Sequence, residues 1–196
     1  IRIENQDKLK FVLVAKAPDW RVTVFRNDDK TYFSQSLKDF AKTGLVSGFV
    51  MVERPRMLKA GEFTRSSFKF CGYDIQRWTG RNSTFKYLAL GDVAPQVENI
   101  IFAAYKVPTN GGLPVTYIKA QSGRDYTTGI SEEGHLETLL DTTKIEPAVD
   151  DAKLFIAPSG YKQAESVGVV FVGSAARNES GDFQNLFEMR PIGKQK

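Results

Sequence analysis

His135 is the sole histidine of the chain, and it stands close to Glu132, Glu133 and Glu137. Imidazole and carboxylate are the donor types of metal sites and of acid–base pairs. The spacing here matches no metal motif with a mechanism, and the bland alternative is a solvated acidic turn. With one histidine, a Ser-His-Asp triad and a zinc site built from several histidines are both out of reach. Cys71 is the sole cysteine. It lies between Phe70 and Gly72 in an aromatic stretch that reads as strand, so a buried inert thiol is expected rather than a nucleophile. Asn82-Ser83-Thr84 fits the glycosylation acceptor pattern, which is short and arises often by chance. Thr109-Asn110-Gly111-Gly112 is not a phosphate-binding loop, because its glycines follow a helix instead of opening one. No catalytic residue, metal or cofactor is therefore assigned.

Apolar and aromatic side chains offer the better candidates. Phe63, Phe68, Phe70, Tyr73, Ile75, Trp78, Phe85 and Tyr87 crowd into one stretch. Directly after it, "GDVAPQVENIIFAAYKVPTNGG" reads as a helix over about 93–106. Asp92 is positioned as its N-cap and Pro95 suits its first turn. Val97, Ile100, Ile101 and Ala104 recur at i, i+3, i+4 and i+7, which gives one apolar stripe. Phe102, Ala103 and Tyr105 widen the stripe beyond a single face. A helix apolar on most sides must be covered on most sides. It is either a core helix that plugs a barrel end, or a lid on an apolar cavity. Consecutive elements commonly neighbour one another in space. That makes Phe68, Phe70, Ile75, Trp78, Phe85, Ile101 and Phe102 the expected cavity wall, subject to strand phase, since a slip of one residue turns half of them outward.

The elements that must position these residues are mostly short strands. "LKFVLVAK" opens the ordered chain. "DWRVTVFRNDDKTYFSQ" is a hairpin, with Trp20, Val22 and Val24 alternating with Arg21, Thr23 and Phe25 around an Asn/Asp turn. Ser36 and Asp39 form a near capping box for a short helix ended by Gly44. "LVSGFVMVERP" is a strand closed by Pro55. "EFTRSSFKF", "GYDIQRWTG" and "STFKYLALG" are strands joined by turns. "LPVTYIKAQS" is another, and "GRDYTTGISEEG" a turn-rich loop. "HLETLLDTTKIEPAVD" allows a period of two and leans to strand. "DDAKLFIAPSGYKQA" reads as a strand entering a Pro-Ser-Gly turn, and "SVGVVFVGSA" as a last strand. Residues ~176–196 form a polar tail.

Bulk properties narrow the class. A chain of 196 residues with 41% hydrophobic content can bury a core, and single β-rich domains reach this size. One domain, 1–196, is expected, since neither repeat nor linker interrupts it. The net charge of +4 is mild and unclustered, which argues against a nucleic-acid partner. No apolar run approaches the ~18 residues of a membrane span. One cysteine excludes an internal disulfide. The chain starts Ile1-Arg2-Ile3, and removal of a leader is one expectation from that start.

Three segments together resemble the outer-membrane lipoprotein carrier superfamily (LolA/LolB-like): "DWRVTVFRNDDKTYF", "ALGDVAPQVENIIFAAYKVPTNGGLPVTYIKA" and "AKLFIAPSGYKQAES", spanning residues ~20–170. The resemblance implies a mainly β (α+β) fold. In it a strongly curved antiparallel sheet, an open half-barrel, wraps plugging helices. It also implies an extracytoplasmic (periplasmic or secreted) protein that binds a lipid, acyl chain or lipoprotein without catalysis. No working residue of the family maps onto a position here. Two alternatives stand beside it: a cell-envelope structural or interaction module with a filled core, and a hydrolase working through Glu and Asp pairs.

Overall fold

The computed structural model describes residues 1–5, 10–45, 60–81, 83–89, 93–121, 135–147, 151–171 and 173. The protein is mainly β. Among the described residues ten strands form two five-stranded sheets, one in each of two compact units. The first unit comprises Ile1–Glu53 and Asp150–Lys196, and the second Arg54–Val149. The expected single curved sheet is thus replaced by two. Among the described residues neither sheet closes on itself. The segment 46–59, which holds all of the expected strand "LVSGFVMVERP" but Leu45, lies outside the described residues, as do the loop 122–134 and the tail.

In the first unit the order is β1-β2-β3-β4-β10. The strands are β1 (Arg2–Glu4), β2 (Phe11–Val14), β3 (Val22–Arg26), β4 (Thr31–Gln35) and β10 (Lys162–Gln163). All neighbours are antiparallel except β10, which adds to β4 in parallel. The β3–β4 hairpin stands where its alternation predicts it, and β1 is a strand that the sequence reading does not anticipate. Every residue of β2 is buried, because both faces of the sheet are covered. On one face Val12, Val14 and Phe25 pack with Tyr32, Ala157 and Tyr161. On the other, the Phe11 ring meets Phe171 at 5.3 Å between centroids. Such a doubly covered strand reads as a continuous apolar run rather than as alternation.

Helix α1 (Leu37–Thr43) is capped as its sequence indicates. The Asp39 amide donates to Ser36 Oγ at 3.1 Å, and Gly44 takes φ 62° beyond the last turn. Two segments depart from expectation. "DDAKLFIAP" holds a 3-10 turn at Ala152–Phe155 instead of a strand, with Asp151 as its side-chain cap. "SVGVVFVGSA" is helical over 167–171 instead of strand. Its β-branched run favours strand locally. Short apolar runs are nonetheless ambiguous between buried strand and buried helix. Here Ser166 Oγ accepts from the Val169 amide at 3.4 Å at the start of the turn, and Val167 and Val170 enter the core.

Arg26, 4% exposed, ties this unit together. Its Nε and Nη2 donate to the two carboxylate oxygens of Asp28 at 2.9 and 2.6 Å, and Nη1 donates to the Phe171 carbonyl at 3.2 Å. A cation at the carbonyl end of a helical turn is also favoured by the peptide dipoles. Gly173 has φ +74°, and a Cβ there would stand 2.6 Å from Arg26 Cζ.

The second unit carries β5 (Thr64–Phe70), β6 (Tyr73–Thr79), β7 (Ser83–Leu88), β8 (Leu113–Gln121) and β9 (His135–Asp141), in that order and all antiparallel. Cys71, expected in a strand and buried, is exposed and sits in the β5–β6 turn. Phe70 pairs with Tyr73, and Cys71 and Gly72 between them have φ 49° and 83°. Two positive φ values are the signature of the type I′ turn of a two-residue hairpin, whose twist matches that of the strands.

Helix α2 (Pro95–Tyr105) follows β7. Asp92 lies outside the described residues, and the N-cap is Ala94, which makes no side-chain cap bond. Pro95 holds Ala94 in extended conformation, so the helix begins at the proline. Ile100, Ile101 and Ala103 are buried and Phe102 is half-buried, while Tyr105 is 38% exposed.

Arg26→Met should cost about 2–3 kcal/mol in urea denaturation, a buried-pair loss discounted for the partly exposed Asp28. The Arg26 hydrogen bonds hold the Asp28 carboxyl below its ordinary 3.8. The pair's contribution is therefore full above that value and falls as pH drops below it, so an acid titration of stability should flatten in Asp28→Asn. In the second unit, Cys71 should react promptly with a thiol reagent in the native protein. Cys71→Asn should hold or raise stability by up to about 1 kcal/mol, because Asn accepts positive φ more readily.

Candidate functional site

Opposed residues of antiparallel strands share a face, so strand register sorts the aromatic stretch into two groups. Phe68 pairs with Ile75, Phe70 with Tyr73, and Ile75 with Leu88. These residues lie on the first face of the sheet. Arg65 pairs with Trp78 and Trp78 with Phe85, which places them on the second face. Of the seven expected wall residues, Phe68, Phe70 and Ile75 are together on the first face. Trp78 and Phe85 are back to back with them. The seven therefore do not form one wall. The reason is the strict period of two along each strand.

The first face has a closed centre and an open margin. Ile75, Leu88 and Val115 are buried, and the half-buried Phe68, Phe70, Tyr73, Leu113 and Ile145 pack around them. Val115 is the unpaired residue of a β-bulge in β8, opposite Lys86/Tyr87. Such a bulge re-aims side chains locally. Arg77 and Lys86 flank the Phe68 ring, with Arg77 Cζ at 4.8 Å and Lys86 Nζ at 5.9 Å from its centroid. Sequence reasoning overlooks Leu88, Val115, Leu113, Ile145 and the two cations. A register counted outward from the Cys71-Gly72 turn would have placed Arg77 on this face, while Leu88 and Lys86 follow only from the separate β6–β7 register.

The second face is packed closely. Phe85 stacks on Tyr117 at 4.6 Å and 14°, and Phe63 meets Phe85 edge-on at 5.7 Å. The Arg65 guanidinium lies 3.9 Å over the Trp78 ring. Tyr87 is buried on this face, and its hydroxyl has no hydrogen-bond partner among the described residues. Burial drives its pKa well above the ordinary tyrosine value of 10.0, with smaller contributions from Tyr117 and from the Glu98 carboxylate. Glu98 belongs to α2, so the helix that carries Ile101 and Phe102 has a residue near this second face. A Cβ on Gly112 would stand 3.1 Å from Tyr87 Cβ and 3.0 Å from the Leu88 carbonyl, so a larger residue there would have to displace its neighbours by a few tenths of an ångström. Tyr105, more exposed, is raised by burial to about 12.

The first unit contributes a depression of about 340 Å³ lined by Glu4, Asn5, Lys10, Val12, Asn27 and Asp28. Its mixed polar lining lacks the apolar character of an acyl site. No helix among the described residues is long and apolar enough to cross a membrane. Glu132 and Glu133 lie outside the described residues, and His135 opens β9.

Tyr87→Phe removes a buried hydroxyl without changing ring shape, so it should leave stability unchanged or raise it by about 1 kcal/mol. Above pH 10 the unfolded chain releases tyrosine protons that folded Tyr87 retains. Stability should therefore fall as pH rises past 10, and less steeply in Tyr87→Phe. Absorbance of phenolate alongside circular dichroism measures both. Compared with known proteins, the chain matches no family model, no curated protein and no solved structure.

Proposed function

We propose that this is a noncatalytic binding protein that holds an apolar or acylated ligand against the first face of the second sheet. One observation carries the reading. Large apolar side chains, Phe68, Phe70, Tyr73, Leu113 and Ile145, stay half-open around a closed centre of Ile75, Leu88 and Val115. Apolar surface with few polar groups is the usual character of such ligand sites. Partly open aromatics also make exposed patches that mark binding surfaces. The resemblance to the lipoprotein carrier superfamily supports the same reading, and with it an extracytoplasmic location and a sheet curved as a half-barrel.

A second reading is an envelope scaffold with a filled core. The closely packed Phe63, Trp78, Phe85 and Tyr117 rings favour it, since close aromatic packing leaves little room for a ligand on their face.

Titration with an uncharged fluorescent apolar probe decides between them. On the carrier reading the probe saturates near one equivalent, and Phe68→Ser weakens it about 10-fold or more, the loss of one large apolar contact. Trp78 faces away from the proposed surface, so its emission should change little on saturation in a Trp20→Phe background. Absence of saturable binding leaves the scaffold reading in place.

A further inference from the structure

The first face of the second sheet also carries a polar half. Arg77 and Lys86 are direct register partners on adjacent strands. Like charges placed directly opposite in a sheet are destabilising. Neither forms an ion pair with a carboxylate among the described residues. Their register partners on the outer strands carry hydroxyls. Ser66 pairs with Arg77 and Thr116 with Lys86, while Thr79 pairs with Thr84 two residues further along the same face. Asp141 lies one strand beyond, opposite Thr116, whose Oγ1 is 3.4 Å from its carboxylate. Arg77 is exposed and Lys86 half-buried, so both are within reach of solvent.

Both cations flank Phe68, which belongs to the apolar margin on their other side. Their contact with this ring offsets part of the repulsion. An anion between them would turn the remainder into attraction and would gain charge-assisted hydrogen bonds. Apolar surface and a cation pair thus adjoin on one face, two residues apart along each strand. We infer that the ligand is a single-chain anionic amphiphile, with its carboxylate head at Arg77 and Lys86 and its chain across Phe68, Phe70 and Tyr73. This rests on the carrier reading above and adds the head group to it.

The test is displacement of the uncharged probe by hexadecanoate and by its methyl ester, both below their aggregation limits, on the full chain. The acid should bind about 10-fold or more tightly than the ester, as expected for hydrogen bonds to a charged group. In Arg77→Gln/Lys86→Gln that preference should fall to about 1 while ester binding persists, and Lys86→Arg should keep it. A measurement independent of any variant is salt. At about 1 M the screening length shrinks to about 3 Å, and the preference of the wild-type protein should narrow with the ester unaffected. Equal binding of acid and ester by the wild-type protein overturns the head-group assignment and leaves the carrier reading standing. Displacement by neither compound, with no saturable probe binding, removes both. Competition by inorganic phosphate or a thymidine oligonucleotide as strong as that by hexadecanoate also overturns the assignment, and makes the cation pair a polyanion site.

Discussion

The register of the β5–β6–β7 strands is the constraint on which the functional surface depends. A two-residue turn at Cys71 and Gly72 sets β6 against β5. The pairing of Thr79 with Thr84 then sets β7 against β6, and with both registers fixed alternation leaves no freedom. Phe68, Ile75 and Leu88 must share a face with Arg77 and Lys86, and Trp78 and Phe85 must oppose them. A shift of one residue would turn Trp78 and Arg65 to the face that Ile75 and Phe68 now occupy, and the apolar margin would lose its cations. The positive φ at Cys71 is thus a local strain that fixes a distant surface.

The two sheets solve burial differently. In the first unit both faces are covered, one by Ala157 and Tyr161 and the other by Phe171, and β2 is apolar throughout. Arg26 is the polar exception inside that core. It is tolerated because its donors have carboxylate and carbonyl partners, and an unpaired guanidinium there would cost several kcal/mol. In the second unit, one face is closed by stacked rings and the other keeps a half-open margin. β5 is largely exposed along its length. Arg65 and Lys69 stand on that edge strand, and charged side chains of this kind discourage pairing with another chain.

Helix α2 has a place in this arrangement that its composition alone suggests only in part. The wide apolar surface is used, since Ile100, Ile101 and Ala103 are buried. Yet Tyr105 reaches solvent, and Glu98 lies near Tyr87 on the ring-packed face rather than on the open one. Sequence adjacency groups the helix with Phe68 and Phe70, whereas its Glu98 acts on Tyr87 of the opposite face.

What the sequence by itself determined is local. The β3–β4 hairpin, the Ser36 and Gly44 caps of α1, the helix α2 with Pro95 in its first turn and the strands β5 to β9 follow from alternation, capping and turn chemistry among near neighbours. These signals act over a few residues, so they are legible in one dimension. The tertiary structure decided the rest. It divided the strands between two sheets and turned Val167–Phe171 into a helical stretch whose valines enter a core assembled from β-strands far away in sequence. It placed Cys71 in a turn because Phe70 and Tyr73 pair across it. It also assigned each aromatic to a face, and put Arg77 opposite Lys86. Pairing between strands is a contact of two segments, and a period of two within either one cannot reveal which residues will stand opposite each other.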